Sequence, residues 1–230
     1  MRGLVLIASA LVSTGAMFAE TAQERLAEAT AVFNEVMATP DKGIPQDLLE
    51  DAKCIVIVPG MKKAAFVVGG EYGRGFVTCR TAASWGAPAA IRIEGGSVGF
   101  QIGASATDLI MLVMNDRGMN KLLGDKFTLG ADASLAAGPV GRTANAKTDA
   151  KMTAEILAWS RAKGLFAGVS LSGATLRPDR DENAELYGEK IGSKEVLTGS
   201  MKMPEAARPL VAALSKYPPS SKMNADRVKQ

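Results

Sequence analysis

The sequence has no histidine among its 230 residues. Without histidine, the chain cannot build a Ser-His-Asp triad, a Cys-His nucleophile pair or a His-ligated zinc site. Aromatic residues make up only 5% of the chain, so the core must consist mainly of aliphatic side chains, methionine and alanine. Carboxylate chemistry remains open, but the commonest general base is missing.

A strong excess of charge of one sign is also missing. The 27 basic and 24 acidic residues give a net charge of +3, which is too balanced for a general nucleic-acid binder. The hydrophobic content of 47% excludes a mainly disordered chain. Since no Pro/Ser-rich linker divides the chain, we predict one domain over residues 20–217, followed by a disordered basic tail over 218–230.

The first 19 residues resemble an export signal. Arg2 precedes a short apolar run over residues 3–12, and small residues follow, with cleavage expected after Ala16 or Ala19. An uncleaved N-terminal anchor is the alternative. We therefore expect a signal peptide over residues 1–19 and a periplasmic or secreted protein.

Only two cysteines are present, Cys54 and Cys79, and each lies in a strand-like segment. An oxidising compartment would allow a disulfide between neighbouring strands. The other interpretation is a pair of buried thiols that pack as small hydrophobic groups. The sequence leaves both open because it does not supply the Cβ geometry of a disulfide.

The hydrophobic pattern changes from helical to strand-like along the chain. Thr21 and Glu24 form a capping-box pattern at the start of an amphipathic helix over 21–38. From residue 53 onwards, short apolar or alternating runs are punctuated by glycine, and helical patterns return after residue 180. Because glycine within strands marks bends or close backbone approach, we predict an α+β fold. Its sheet is strongly bent and mostly antiparallel, or a partial barrel, with helices at both ends.

Glycine-rich motifs in this chain do not indicate catalysis or cofactor binding. Gly95-Gly-Ser97-Val-Gly99 matches the nucleophile-elbow spacing, but the elbow needs a following helix and a histidine partner. Residues 69–75 fit neither common phosphate-binding glycine pattern. We predict that both segments are turns, and we predict neither a cofactor nor a metal site.

Basic side chains are the remaining candidates for chemistry. Lys62 and Lys63 follow Pro59-Gly60 on a predicted loop, and Arg74 and Arg80 lie on one face of a predicted strand. Arginine and lysine donate charge-assisted hydrogen bonds to phosphate, so these four residues could hold anionic headgroups. The alternative is ordinary solvated surface charge.

A series of motifs, taken in order, carries a family resemblance. The motifs include Ala52-Lys-Cys-Ile-Val-Ile-Val-Pro59, Trp85-Gly-Ala-Pro88, Gly95-Gly-Ser-Val-Gly99, Ala137-Gly-Pro-Val-Gly-Arg142, Lys163-Gly-Leu-Phe-Ala-Gly-Val-Ser-Leu171 and Tyr187-Gly188. This series resembles the SYLF domain, a lipid-binding module also known as an actin-regulator domain, over about residues 30–216.

The resemblance implies non-enzymatic binding of acidic phospholipids, phosphoinositides especially, and in eukaryotic members actin bundling. Because an exported protein does not meet cytoplasmic actin, we carry over lipid binding alone. In the family the N-terminal helix is implicated in membrane contact. Here its polar face carries three glutamates and one arginine, whereas helices on anionic lipid have basic polar faces. We therefore expect the helix to pack on the domain, and we assign lipid contact to Lys62, Lys63, Arg74 and Arg80.

Two other functions remain as alternatives. One is a structural or interaction protein of the cell envelope that binds another protein. The other is an enzyme that uses carboxylates such as Asp108 or Asp132.

Overall fold

The computed structural model describes residues 20–39, 43–81, 84–140, 154–162, 165–167, 171–199 and 201–220, with the backbone alone at 65–68, 97–104 and 165–167. The predicted signal peptide over 1–19 and the last ten residues of the predicted tail lie outside these described residues.

Helices flank a strand-rich middle of the chain. The helices are α1 (Ala22–Met37), α2 (Gln46–Asp51), α3 (Asp116–Leu122), α4 (Arg180–Tyr187), α5 (Ser193–Thr198), a 3-10 turn (Glu205–Ala207) and α6 (Arg208–Leu214). The strands are β1 (Cys54–Cys79), β2 (Ala89–Val113), β3 (Phe127–Thr128), β4 (Leu135–Ala137), β5 (Ile156–Ala162), β6 (Leu165–Ala167) and β7 (Thr175–Pro178).

The two longest strands form one continuous antiparallel ribbon. β1 pairs with β2 from Cys54 opposite Val113 to Val77 opposite Ala89, with shifts of register after Val58 and Phe66. The short runs of the sequence pattern predicted separate short strands here, and that division is wrong. The glycine-rich segments 69–75 and 95–99 lie inside β1 and β2, so the prediction of turns at these segments is also wrong.

The ribbon curls until the end of β1 meets its beginning. The backbone N–H of Arg80 donates to the carbonyl oxygen of Lys53 at 2.8 Å, and a disulfide joins Cys54 to Cys79. Gly75 makes the crossing possible, because a Cβ atom at that position would lie 2.1 Å from the carbonyl oxygen of Ile57. Gly75 therefore serves a close approach between two parts of one strand.

The remaining strands extend this curled sheet. Its order is β3-β7-β2-β5-β4, with β1 also paired to β2 and β6 to β5. The β4–β5 pair is parallel and the other pairs are antiparallel. The predicted fold class, an α+β domain with a strongly bent, mostly antiparallel sheet and helices at both ends, is confirmed.

Each face of the ribbon has its own hydrophobic core, as the two-residue alternation of a strand requires. Ile55 and Ile57 pack beneath α1 and α6, whereas Val56 and Val58 point into the other core. Within α1, the capping box between Thr21 and Glu24 is present, and the apolar side of the helix is buried against the sheet. The expectation that α1 packs on the domain is confirmed. None of the described helices has the length and apolar character needed to cross a bilayer.

Candidate functional site

Lys62 and Lys63 lie within β1, just past the first register shift, and the prediction that they lie on a loop is wrong. Neighbouring residues on a strand point to opposite faces. Accordingly Lys62 is exposed, while Lys63 is half-buried with its Nζ atom 2.8 Å from a carboxylate oxygen of Glu71. The ring of Tyr72, the next residue after that glutamate, is 46% exposed. The ion pair thus brings residues 62–63 and 71–72 of β1 near one another, and two of these four residues, Lys62 and Tyr72, are exposed.

Arg74 is held in a network of buried charges. Its Nε atom donates to Oδ2 of Asp179 at 2.7 Å and lies 3.1 Å from Oε2 of Glu182. Arg25 of α1 contacts the other carboxylate oxygen of Glu182 and pairs with Glu20 at 2.7 Å. The network joins α1, β1 and α4 through side-chain contacts, so Arg74 has a structural role at this position.

The same network corrects the expected polar face of α1. The sequence pattern placed Arg25 on the solvated side, yet its side chain is buried against Glu182. A charged group is rarely fully buried unless it is paired. Burial raises the pKa of the Glu182 carboxyl, while the charges of Arg25 and Arg74 oppose this shift.

Arg80 connects three separate parts of the backbone. Its guanidinium donates to the carbonyl oxygens of Leu49 and Tyr217 at 3.0 Å and of Ala52 at 3.1 Å. It also lies 4.2 Å from the ring centroid of Trp85, a cation–π arrangement. Arg80 therefore joins α2 and the segment after α6 to the end of β1.

The four predicted lipid-binding residues thus lie in different environments and do not form one cluster. Arg74 lies within β1 and Arg80 directly follows it; Arg74 contacts the ion-pair network of α1 and α4, and Arg80 contacts the C-terminal segment. Lys62 and Lys63 lie farther along the strand. Binding of lipid by these four residues remains a prediction.

The two carboxylates considered for catalysis both hold backbone groups. Oδ1 of Asp108 accepts from the N–H of Gly60 at 3.0 Å, and its Oδ2 lies 3.2 Å from the guanidinium of Arg161. Oδ2 of Asp132 accepts from the N–H of Thr128 at 2.6 Å. These contacts give each carboxylate a local structural role.

A second set of cations, not predicted from the sequence, lies on the same face of the sheet as Arg74. Arg92 lies opposite Arg74 on one side and opposite Arg177 on the other. Alternation with the apolar Ile91 and Ile93 could have placed Arg92 on the face opposite to these two residues. No comparable signal marked Arg177, because β7 is four residues long and ends in proline.

Comparison with known proteins decides the family. The family model described as "Las17-binding protein actin regulator" (Ysc84) matches residues 94–217. The chain belongs to the Ysc84 family. This confirms the resemblance to the SYLF, or actin-regulator, domain.

Relatives of the Ysc84 family span distant eukaryotes. The chain is 35% identical over 178 residues to "Protein YSC84" of Saccharomyces cerevisiae, covering 76% of this chain and 38% of the relative. It is 33% identical over 189 residues to "SH3 domain-containing YSC84-like protein 1" of Homo sapiens, covering 80% and 55%. The chain therefore spans between about two fifths and just over half of the length of these relatives.

The motif at the end of the Ysc84-type domain has a structural explanation in this chain. Asn183, which is fully buried, accepts from the N–H of Ala90 at 2.7 Å and donates to the carbonyl oxygen of Ile191 at 2.9 Å. The hydroxyl of Tyr187 donates to the carbonyl oxygen of Pro88, and burial raises the pKa of this tyrosine. These two side chains anchor α4 to the start of β2.

Proposed function

We propose that this protein binds acidic phospholipids, phosphoinositides especially, and catalyses no reaction. The observation that carries the proposal is the exposure of Lys62 and of the Tyr72 ring, the two residues of β1 that adjoin the Lys63–Glu71 ion pair. Cations attract the anionic surface, and tyrosine favours the interface between headgroups and acyl chains. Membership of the Ysc84 family supports the proposal.

The expected strength follows from the number of cations near the membrane. Each lysine or arginine close to an anionic surface contributes about 1 kcal/mol. Lys62 would then contribute about 1 kcal/mol, or roughly a fivefold change in affinity, and Lys63 contributes less because it pairs with Glu71. Arg74 and Arg80 belong to the predicted set, but their intramolecular contacts reduce what they can offer to a headgroup.

Vesicle co-sedimentation tests this proposal. The full chain is mixed with phosphatidylcholine vesicles with and without phosphatidylinositol phosphate, at low and high salt. We expect the Lys62→Ala, Lys63→Ala double variant to lose most of its binding to the acidic vesicles, and high salt to weaken wild-type binding. The matched control replaces Lys194 and Lys202, two exposed lysines elsewhere on the domain, by alanine.

Two outcomes would contradict the proposal. One is equal binding to neutral and acidic vesicles. The other is an equal loss of binding in the control pair, because the effect would then reflect net charge and not this part of the ribbon. Single Arg74→Ala and Arg80→Ala variants, checked for folding by circular dichroism, test the remaining two predicted residues.

We also propose that the chain is exported. The charged start, the apolar run and the small residues before Glu20 support export. Mass spectrometry of protein recovered from the envelope or the medium tests this, since the expected N-terminus is Met17 or Glu20. An intact Met1 in that fraction would contradict cleavage.

A protein partner is the second candidate function, and with actin as the partner it is an alternative to export, since an exported protein does not meet cytoplasmic actin. The description of the matching family, a Las17-binding actin regulator, favours it. The test is co-sedimentation of detergent-washed, lipid-free protein with actin filaments. Binding that survives the Lys62→Ala, Lys63→Ala substitution would separate this function from lipid binding, and no sedimentation with filaments would remove actin as the partner.

A further inference from the structure

Three arginines form a row across three neighbouring strands. The register places Arg74 of β1 opposite Arg92 of β2, and Arg92 opposite Arg177 of β7. Residues directly opposite one another in a sheet share a face, and like charges in such positions destabilise it. Asp179 and Glu182 compensate Arg74. The like-charge pair of Arg92 and Arg177 therefore needs its own explanation.

Among the described residues, a single nearby carboxylate, that of Glu94, compensates the positive charges of Arg92 and Arg177. Glu94 is half-exposed, and its two carboxylate oxygens lie 2.7 Å from Nε of Arg92 and 3.9 Å from Nε of Arg177. Neither Nε atom contacts solvent, and neither donates a hydrogen bond of acceptable geometry to any group in the described part of the chain. One carboxylate thus serves two guanidinium groups, so this pair of arginines keeps a net positive charge.

A third arginine and a cavity adjoin the pair. Arg180, the first residue of α4, lines a cavity of about 220 Å³ together with Arg92, Asp125, Arg177, Pro178 and Asp181. Three guanidinium groups from β2, β7 and α4 thus converge on one small concave surface.

The two acidic residues of the cavity are engaged in exposed ion pairs. Asp125 lies 2.8 Å from Arg180, and Asp181 lies 2.6 Å from Lys190, both at solvent-exposed positions. The pKa of Asp181 is lowered mainly by Lys190, with further contributions from Arg74 and Arg92. Exposed pairs of this kind are weak and are easily exchanged for a better anionic partner.

We propose that Arg92, Arg177 and Arg180 form a binding site for a phosphate monoester or inorganic phosphate. The planar fork of arginine matches two phosphate oxygens at once, and three such groups can surround a doubly charged phosphoryl group. The cavity is smaller than the roughly 300–1,000 Å³ of sites for drug-sized ligands. It therefore fits a phosphoryl group and not an acyl chain. This site goes beyond the proposed function, since it uses none of the four residues predicted for lipid binding.

Isothermal titration of the full chain with inorganic phosphate tests the site, with chloride at matched ionic strength as the reference. We expect Arg177→Gln to weaken phosphate binding about tenfold or more, because it removes charge-assisted hydrogen bonds. We expect Glu94→Gln to strengthen binding, because it removes the carboxylate that competes for two of the arginines. Arg208→Gln is the matched control, since Arg208 is an exposed, singly paired arginine on α6.

A comparison of two ligands shows whether the site binds soluble phosphate esters, lipid headgroups or both. A soluble phosphate monoester, glycerol phosphate, is titrated beside vesicles that contain phosphatidylinositol phosphate. Loss of both bindings in Arg177→Gln supports a site that also accepts lipid headgroups, and loss of the soluble ligand alone supports a site for free phosphate esters. The Lys62→Ala, Lys63→Ala variant should retain phosphate binding, so failure of the lipid proposal is distinguishable from failure of this one.

Three results would overturn the inference. The first is no phosphate-specific heat in the wild-type chain at millimolar phosphate. The second is an equal loss of binding in Arg208→Gln, which would indicate general charge attraction. The third is an unchanged affinity in a folded Arg177→Gln variant.

Discussion

Gly75 lies where β1 crosses its own first half, and its replacement tests the central feature of the fold. An alanine Cβ atom at this position would lie 2.1 Å from the carbonyl oxygen of Ile57 and 2.7 Å from Cα of Val58. Both contacts are with backbone atoms, so a change of rotamer cannot relieve them. The Gly75→Ala substitution must move one part of the ribbon away from the other.

The expected loss of folding stability depends on whether the methyl group of the new alanine meets backbone or side-chain atoms. Overpacking of a well-packed core costs about 1–3 kcal/mol, and a backbone clash falls at the upper end of that range. For a domain of this size, about 3 kcal/mol corresponds to a decrease of roughly 6–12 °C in Tm. Gly73→Ala should cost less, because the methyl group there meets the side chains of Val58 and Met61.

Gly96→Ala is the matched control, because a Cβ atom at that position has no neighbour within 4 Å. Thermal and urea unfolding, followed by circular dichroism, should rank the variants Gly75→Ala, Gly73→Ala and Gly96→Ala in order of decreasing loss of stability. If Gly75→Ala unfolds with the same midpoint as Gly96→Ala, β1 does not cross itself at this glycine and the curled ribbon is wrong.

Three further predictions concern the buried ion pair between α1 and α4, the disulfide of β1 and the cap at the start of α1. Arg25→Met should lower the free energy of unfolding by about 3 kcal/mol, because it leaves the buried Glu182 carboxylate undercompensated; urea unfolding that matches wild type would contradict this. Replacement of both Cys54 and Cys79 by serine should cost about 3 kcal/mol, from loss of a cross-link across 25 residues, and wild-type stability after the exchange would refute it. The pKa of Glu24 should lie below the ordinary range of glutamate, because the backbone N–H and hydroxyl of Thr21 donate to its carboxylate. The ionised Glu24 carboxylate should therefore stabilise the fold at pH values above its unfolded-state pKa. This stabilisation should be lost as the pH falls through its folded-state pKa, and NMR titration of Glu24 measures that pKa.

Local patterns predicted the parts of the fold that local contacts determine. The capping box of Thr21 and Glu24 identified the start of α1 to within a residue. A cap satisfies backbone groups only three residues away, so the relevant partners are visible in a short window of sequence.

Long-range contacts explain where prediction from sequence failed. Glycine serves both tight turns and close backbone approach, and a short window does not distinguish the two uses. The glycines of residues 69–75 therefore predicted a turn, although at Gly75 the neighbouring group is Ile57, 18 residues earlier in the same strand. Arg25 was predicted on a solvated face because its partner, Glu182, is 157 residues away.

The candidate sites also divide into one that local sequence reveals and one that depends on long-range contacts. Lys62 could be identified from sequence as an exposed cation, but the row of Arg92 and Arg177 depends on pairing between β2 and β7. Such pairing becomes visible only once the register of the sheet is known. The cationic surface that the sequence analysis missed is therefore the one whose residues lie farthest apart along the chain.

The distinction between buried and exposed cations determines how loss of lipid binding is interpreted. Arg74 and Arg80 hold α1, α4 and the C-terminal segment in place, so their removal disturbs the fold as well as the charge. Lys62 has an exposed side chain on β1, so its removal changes mainly the electrostatic potential around this part of the ribbon. A loss of binding caused by the arginine variants alone, together with a lower Tm, would indicate that the membrane recognises the folded shape of the domain. A loss caused by the lysine variants at unchanged Tm would indicate that it recognises their charge.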